Sequence, residues 1–442
     1  MKRIFAPFAY SDAPRVKCWW DETAEPVARK VLEGDRDVDV AIIGAGFTGL
    51  SAALHLAEGG VRVAVLERRC VGWGASGRNG GFCCLGGSML GSAALDAQFG
   101  RAGRMAYRAS ELAAIETVDE LISRLNLDVD RHSQGETQLA HRPKDVSDLH
   151  AHAADIKDSY GLDSQVIEKQ ALAEHGMKGP FYGAVTVNAG FALNPRKYID
   201  GLAKAAEDAG AVIYQDSEVS DFVRIGRRHQ LETARGKITA DKVIVATNGY
   251  SSEDLPLWLR GRYLPSQSNI IVTRPLTDDE LAAQGWNSDQ MSYDTRDLLH
   301  YFRLMPDRRF LFGMRGGVLT GAAAERRAYR AIRSDFEAMF PAWAEIETPY
   351  SWSGMVCLAR DRLPFAGPIP AEDGLFVGMC YHGNGVAMGT YVGKLLASLA
   401  QGKKPEIPYP DAISRPLKRF ELGAARRLIM PVAYAALMLA DR

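Results

Sequence analysis

A chain of 442 residues, 47% hydrophobic and 24% charged, carries enough apolar side chain to bury two sizeable cores. With 53 basic and 54 acidic residues the formal net charge is −1, and without a basic run or a nucleic-acid motif there is no reason to expect a nucleic-acid partner. Cysteines at 18, 70, 83, 84, 357 and 380 show no CxxC and no regular spacing, which argues against a disulfide framework or zinc site and for a reducing, cytoplasmic setting.

Met1-Lys2-Arg3 begins like a signal peptide, but the apolar stretch behind it is broken by Pro7. No apolar run is expected to span a bilayer. Residues 1–36, with Trp19, Trp20 and scattered prolines, are expected to form an arm over the surface, anchored by the two tryptophans.

Val38–Ile43 is a β-branched run, Gly44-Ala45-Gly46-Phe47-Thr48-Gly49 follows, and an Ala/Leu-rich stretch leads to Val61–Glu67. The pattern predicts a buried strand, a helix and a second strand. Gly44 permits the tight turn, Gly46 lets the backbone approach a pyrophosphate, and Gly49 lets helix and strand pack closely. The helix opens at Phe47 and Thr48, and its unpaired N–H groups favour an anion. Glu67, with Arg68 beside it, sits where a ribose 2′-OH would be bound, and its charge disfavours a 2′-phosphate. A GxGxxG alone is weak evidence; strand, helix and terminal acid together specify a dinucleotide site.

Val71–Gly81 is too rich in small residues for a strand or stable helix, so something must lie against its backbone. Here the chain resembles the flavoprotein superfamily of D-amino acid oxidase, glycine oxidase and sarcosine oxidase, most closely its gamma-glutamylputrescine oxidase-like branch. The resemblance implies FAD rather than NAD, with Gly74, Ala75, Ser76, Arg78, Asn79, Gly80 and Gly81 along the diphosphate and ribityl chain. It implies an α/β (α+β) fold in which a Rossmann-like FAD-binding domain (37–92, 180–262 and 346–402) interleaves with a mixed-sheet substrate domain (93–179 and 263–345) that roofs the flavin. Residues 403–442 form a C-terminal strap and helix.

From Ala93 to about Tyr160 the pattern is helical, with Tyr107, Leu112, Ile115, Val118, Leu121, Ile122 and Leu125 on one stripe. The acids opposite are expected to be a solvated face. Gly135–Ala140 is a short strand whose family counterpart opens the substrate domain. A helix through Ala206 and a strand at Ala211–Tyr214 precede Val219, whose counterpart contacts adenine. Asp241–Gly249 is a strand ending in Ala246, Thr247, Asn248 and Gly249, at the sheet edge where a cofactor is expected.

Leu299–Arg303 and Arg309–Gly313 read as a hairpin turning at Pro306-Asp307, with His300 and Phe302 on one face and Tyr301 and Arg303 on the other. Residues 322–339 are an amphipathic covering helix. Trp352–Pro368, including Gly354, resembles the family's Trp, Gly, Asp-x-x-Pro signature. Gly374–Gly389 is a strand, a glycine-rich turn and a helix start, and the resemblance places His382, Gly383, Asn384, Gly385, Val386 and Ala387 at the flavin. The partial positive charge of that helix start favours the reduced, anionic flavin. Residues 420–439 read as an amphipathic helix interrupted by Pro431 and docked on the chain's own surface, with a membrane-surface or partner helix as the alternative.

Neither a Ser-His-Asp order, a metal motif nor a Walker loop is evident, so the redox cofactor must carry the reaction. The resemblance implies a primary or secondary amine or amino acid as substrate, hydride transfer to flavin N5, and an imine that water hydrolyses. Gamma-glutamylputrescine, sarcosine and iminodiacetate fit that class. Oxygen is the expected acceptor, yielding hydrogen peroxide, although the lysine that sarcosine oxidases place beside N5 is missing: no lysine lies between Lys242 and Lys394. A quinone, an electron-transfer protein or a non-catalytic FAD-binding role are the alternatives. Arg303, Arg315 and Arg78 are candidate carboxylate clamps, each with a structural ion-pair role as the alternative, and His382 is either a flavin neighbour or a packed histidine of the turn. Non-covalent FAD is expected, because the family's attached cysteine falls on Gly354 and the attached histidine of related dehydrogenases falls near Arg78. The oligomeric state is left open.

Overall fold

In this computed structural model, which describes residues 1–441, the strand Arg36–Ile43 lies parallel between Val63–Leu66 and Lys237–Val245. Buried on both faces, its β-branched run is what a central parallel strand requires. The sheet continues through Leu375–Met379 to Phe365–Pro368 on one side and to Val212–Tyr214 on the other. A hairpin, Asp221–Ile225 and Arg228–Glu232, is added to the Lys237–Val245 strand. The helices Phe47–Glu58, Pro195–Asp208 and Ala387–Ala400 contribute to a single apolar core on one face. The first and last of these pack very closely, since a side chain at Gly393 would meet the Thr48 carbonyl oxygen at 2.5 Å.

The second sheet runs in the order Tyr350–Ala359, Tyr263–Val272, Phe310–Arg315, His300–Leu304, Met291–Asp294, Glu136–Leu139, Gly183–Val187 and Ser164–Glu168. It is mixed, because Met291–Asp294 and Glu136–Leu139 are parallel neighbours. The predicted hairpin and its alternation hold. Phe302 joins Phe310, Phe312, Phe336, Phe340 and Trp343 in an aromatic core beneath the helix Ala322–Met339. His300, on the same face, sits between Asp294 at 3.0 Å and Asp335 at 3.1 Å.

Two strands change sheets relative to the sequence expectation. Gly183–Val187 and Tyr350–Ala359 fall in stretches assigned to the FAD-binding domain, yet both are hydrogen-bonded into the second sheet. Tyr350–Ala359 pairs with Tyr263–Val272 along its whole length, a partnership that a local Trp-Gly signature does not encode. The helix Ser92–Arg124 buries the predicted stripe, but Glu111 is buried with it, bound to Arg108 at 2.9 Å and Tyr160 at 2.6 Å. Its acids are therefore not all solvated.

Both chain ends depart from expectation as well. The arm is partly internal: Phe5, Tyr10 and Trp20 are buried, and Trp20 Nε1 donates to the Asn79 carbonyl at 2.8 Å. Trp20 is thus the packing anchor, while Trp19 lies half-buried against Tyr350. The C-terminal helix spans Ile429–Ala440 without interruption, since Pro431 falls in its first turn, where a missing N–H costs nothing. Its inner side is tied down by Tyr434 on Ser266 and by Asp441, which accepts from the Asp297 and Leu298 N–H groups at 2.7 and 3.0 Å. Its outer side exposes Leu428, Val432, Met438 and Leu439. Gly423–Ala440, of 18 residues and mean hydropathy 1.2, is long and apolar enough to cross a membrane. That corrects the expectation that no stretch reaches that length; Arg426, Arg427 and Pro431 disguise it as broken.

Candidate cofactor and substrate site

A cavity of about 600 Å³ lies between the two sheets. At one end the first strand turns at Gly44, whose φ of +105° suits glycine and where a Cβ would stand 3.0 Å from the Ala246 carbonyl oxygen. Gly46 caps the following helix, and the Phe47 N–H donates to Ser76 Oγ at 3.0 Å, joining the first glycine turn to the second. Gly49 does not line the cavity; its Cβ would run into the Gly44 carbonyl, so it makes the turn and not the wall. Glu67 accepts from the Ala45 N–H at 2.9 Å and the Arg69 N–H at 3.0 Å, and burial pushes its pKa up. The carboxylate thereby braces the turn while facing the cavity.

Arg68, Gly74, Ala75, Ser76, Asn79, Gly80, Val219, Ala246, Thr247, Asn248, Gly354, Gly383, Asn384, Gly385 and Val386 also line the cavity. Gly81, Gly249 and Ala387 stand behind it. The strand ends are cross-tied, because Asn248 Oδ1 accepts from the Cys380 N–H at 3.0 Å and the Asn384 amide donates to the Leu85 carbonyl.

The four candidates for chemistry separate clearly. Arg303 is fully buried away from the cavity, with its guanidinium on the Leu193 carbonyl at 2.8 Å and on His132 at 2.9 Å. This is a structural post and not a substrate clamp. Arg78 lines the cavity but is spent largely on the Trp73 and Ser353 carbonyls, at 2.9 and 3.3 Å; its Nη2 is buried without a partner among the described residues. His382 donates from Nδ1 to the Gly87 carbonyl at 2.7 Å and accepts the Ala359 N–H on Nε2 at 3.0 Å. Those two bonds require the neutral ring, and burial pushes its pKa down to about 4. His382 shapes the turn and carries no charge at neutral pH.

Arg315 is different. The ionisable groups nearest it are Tyr301, Cys84, Tyr434 and Tyr293; no acid pairs with it among the described residues, and burial pulls its pKa down. It reaches the glycine-rich turn, where a Cβ on Gly383 would lie 2.5 Å from its Nη2. A cation without a counter-ion at a cavity wall is costly unless something anionic joins it.

The rest of the ceiling escaped sequence reasoning. Tyr301 bonds Ser268 Oγ at 2.8 Å and lies edge-on to Phe82. Tyr293 and Glu136 face the cavity from neighbouring strands. The alternation that put Tyr301 on the cavity face was readable, but the pairing that adds Glu136 and Tyr293 to that face was not. The residues present fit a dinucleotide: two glycine turns and a buried acid at one end, then an orphaned Arg78 nitrogen, an unpaired Arg315 and a second helix start.

A two-sheet fold around such a cradle is that of a dinucleotide-binding protein. The profile of the FAD dependent oxidoreductase (DAO) family matches residues 39–399, and the chain belongs to that family. It is 29% identical over 413 residues to the probable oxidoreductase OrdL of Haemophilus influenzae, covering 92% of this chain and 93% of that one. It is 28% identical over 396 residues to gamma-glutamylputrescine oxidoreductase of Escherichia coli, covering 88% and 91%. The crystal structure of glycine oxidase from Geobacillus kaustophilus superposes with a TM-score of 0.70 at 23% identity, covering 86% of this chain and 100% of that one. FAD is accordingly the cofactor, and the protein is an oxidoreductase of the amine and amino-acid oxidising family.

Proposed function

We propose that the protein oxidises the carbon–nitrogen bond of a small amine or amino acid and passes the electrons to oxygen, producing hydrogen peroxide. Bound FAD would supply the two-electron acceptor. In this reading the Gly44–Gly49 turn and helix start take the pyrophosphate, Glu67 the adenosine ribose, Val219 the adenine, and residues 74–80 and 382–386 the flavin end. Ser268, Tyr293 and Tyr301 wall off water and hold the C–H bond in place; such positioning contributes about 7–11 kcal/mol in favourable cases. Arg315 binds an anionic group of the substrate or offsets negative charge at the cofactor, and the start of the helix Ala387–Ala400 adds partial positive charge. The released imine hydrolyses in water.

The observation that carries this reading is the unpaired Arg315 facing a cavity whose far end is a dinucleotide cradle. Gamma-glutamylputrescine, the amine named for the Escherichia coli relative, and small carboxylate-bearing amines such as sarcosine or iminodiacetate are the substrates to screen. The yellow protein, mixed anaerobically with this panel, should bleach with at least one amine. Persistence of the oxidised spectrum with every amine would support a non-catalytic FAD-binding role instead. All six cysteines are free, in keeping with a cytoplasmic location.

One observation favours a dehydrogenase as the second reading. His382 is neutral, Arg303 is remote and no ceiling lysine exists, so Arg315, with Arg78 already engaged largely by the Trp73 and Ser353 carbonyls, is left to assist oxygen's first electron. Substrate-reduced enzyme mixed with air-saturated buffer should reoxidise within seconds. Reduced flavin that persists for minutes in air but is reoxidised at once by a quinone analogue would identify a dehydrogenase.

A further inference from the structure

Glu136 is a buried ceiling group with the wrong sign for a carboxylate-binding pocket; the exposed Asp297 also lines the cavity, from the loop after the Met291–Asp294 strand. Glu136 opens the strand Glu136–Leu139, fixed in register between Val187 and Met291. Gly135 before it is forced, with φ +93° and no room for a Cβ against the Val187 carbonyl. The side chain is 6% exposed and lines the cavity. The groups acting on its carboxyl are Glu111, the Cys84 thiol and the Leu85 N–H, and no Arg, Lys or His pairs with it among the described residues.

Charges reach it from each neighbouring element. The helix Ser92–Arg124 presents Glu111, held by Arg108 and Tyr160. The segment after the second glycine turn presents Cys84, and the Met291–Asp294 strand presents Tyr293; the strand on the other side offers apolar Val187. Arg315 acts on Cys84 and Tyr293 from two strands further along, so Tyr293 stands between the acid and the cation. Glu136 and Arg315 sit on strands three spacings apart and about four residues out of register, roughly 20 Å at the backbone. Glu136 therefore stands toward one end of the ceiling and Arg315 toward the other, where Arg296 and Asp297 also line the cavity from the loop that ends at Leu299. Burial, with Glu111 adding repulsion, pushes the Glu136 pKa up to about 8.

We propose that Glu136 receives the amino group of the substrate, so that the site selects amines that arrive as cations. This rests on the oxidation reading above and names its substrate class: an aliphatic ammonium whose anionic or acyl portion, where present, points toward Arg315. Near neutral pH the empty site holds Glu136 as the neutral acid. An arriving ammonium replaces that proton as the partner of the carboxylate, and one proton leaves to solvent. The ammonium then passes an N–H proton to the carboxylate oxygen, the N–H bond breaking as the O–H bond forms. The nitrogen keeps its electron pair as the free amine that oxidation requires.

The test uses the FAD-loaded protein and calorimetric titration at pH 7 in two buffers of different ionisation enthalpy. Propylguanidinium is the probe, a permanent cation with N–H donors and no free amine to oxidise, and propylurea is its neutral counterpart. Wild type should bind propylguanidinium with release of about one proton. Glu136→Gln should bind it about tenfold or more weakly and release none, as expected for loss of a charge-assisted bond. Propylurea should bind both alike, and Glu136→Asp, which keeps the charge, should retain proton release. Equal binding of propylguanidinium by wild type and Glu136→Gln, or no binding by wild type, overturns the proposal. Flavin absorbance separates the two readings, since a wild-type protein that retains no FAD defeats the oxidoreductase reading and not the role of Glu136.

Discussion

Replacing Arg315 with methionine should move stability and activity in opposite directions. The guanidinium is half-buried and unpaired among the described residues, so the empty protein bears its desolvation without return. Exchanging buried charge for an apolar side chain of similar volume is commonly neutral or stabilising by about 1–4 kcal/mol. Partial exposure puts Arg315 at the low end, about 1 kcal/mol. For domains of 150–250 residues that corresponds to about 2–4 °C in melting temperature, so a chain of this size should gain about 1–2 °C. With substrate present the sign reverses, because a charge-assisted hydrogen bond is worth about 1.5–3 kcal/mol. That predicts a fall of about 10- to 150-fold in kcat/KM for amines with a carboxylate or similar acceptor, and little change for amines without one. The checks are thermal melts of FAD-stripped protein and steady-state rates on matched amine pairs. A variant that melts several degrees lower when stripped, yet turns over both amines like wild type, would refute the reasoning: Arg315 would then be a structural post like Arg303.

Glu67→Ala should lose FAD on dialysis, since it removes both the brace on the first glycine turn and the acid facing the cavity; full flavin retention would count against the ribose assignment. Acid precipitation of wild type should leave the yellow colour in the supernatant: Gly354 has no sulfur, burial raises the Cys84 thiol pKa well above its usual value, and Cys357 is packed with its sulfur 3.5 Å from that of Cys380. Colour in the pellet would implicate Cys357. His300 supplies a pH dependence: burial opposes its charge, but its bonds to Asp294 and Asp335 outweigh burial and hold its pKa above the ordinary value. Its contribution is therefore complete below about pH 6.5, the ordinary histidine value, and is lost as pH rises through the higher folded-state pKa. Urea midpoints at about pH 6 and pH 9 should fall less in His300→Gln than in wild type; an equal fall in both would rule out this assignment.

The nucleotide end of the site was legible because its requirements are local. Gly44, Gly46, Gly49 and Glu67 lie within one βαβ unit, where the turn demands glycine and the next strand must end in the acid, and a contiguous stretch records both conditions. The hairpin alternation of His300 to Arg303 was readable for the same reason, since strand period alone assigns faces. What lies on that face and yet matters differently was not. Arg303 and Arg315 share the cavity-side face of one hairpin, but Arg303 lies toward its turn and is consumed by His132 and Leu193, while Arg315 lies at the open end over the cavity. Only tertiary structure separates them. It also assigns Tyr350–Ala359 to the second sheet, locks His382 as a neutral ring between two backbone groups, and turns Glu136 from one acid in a short strand into an unpaired carboxyl beside the site. In each case the deciding partner is far away in sequence, and a side chain's charge state and role are set by which partners the fold brings within hydrogen-bond distance.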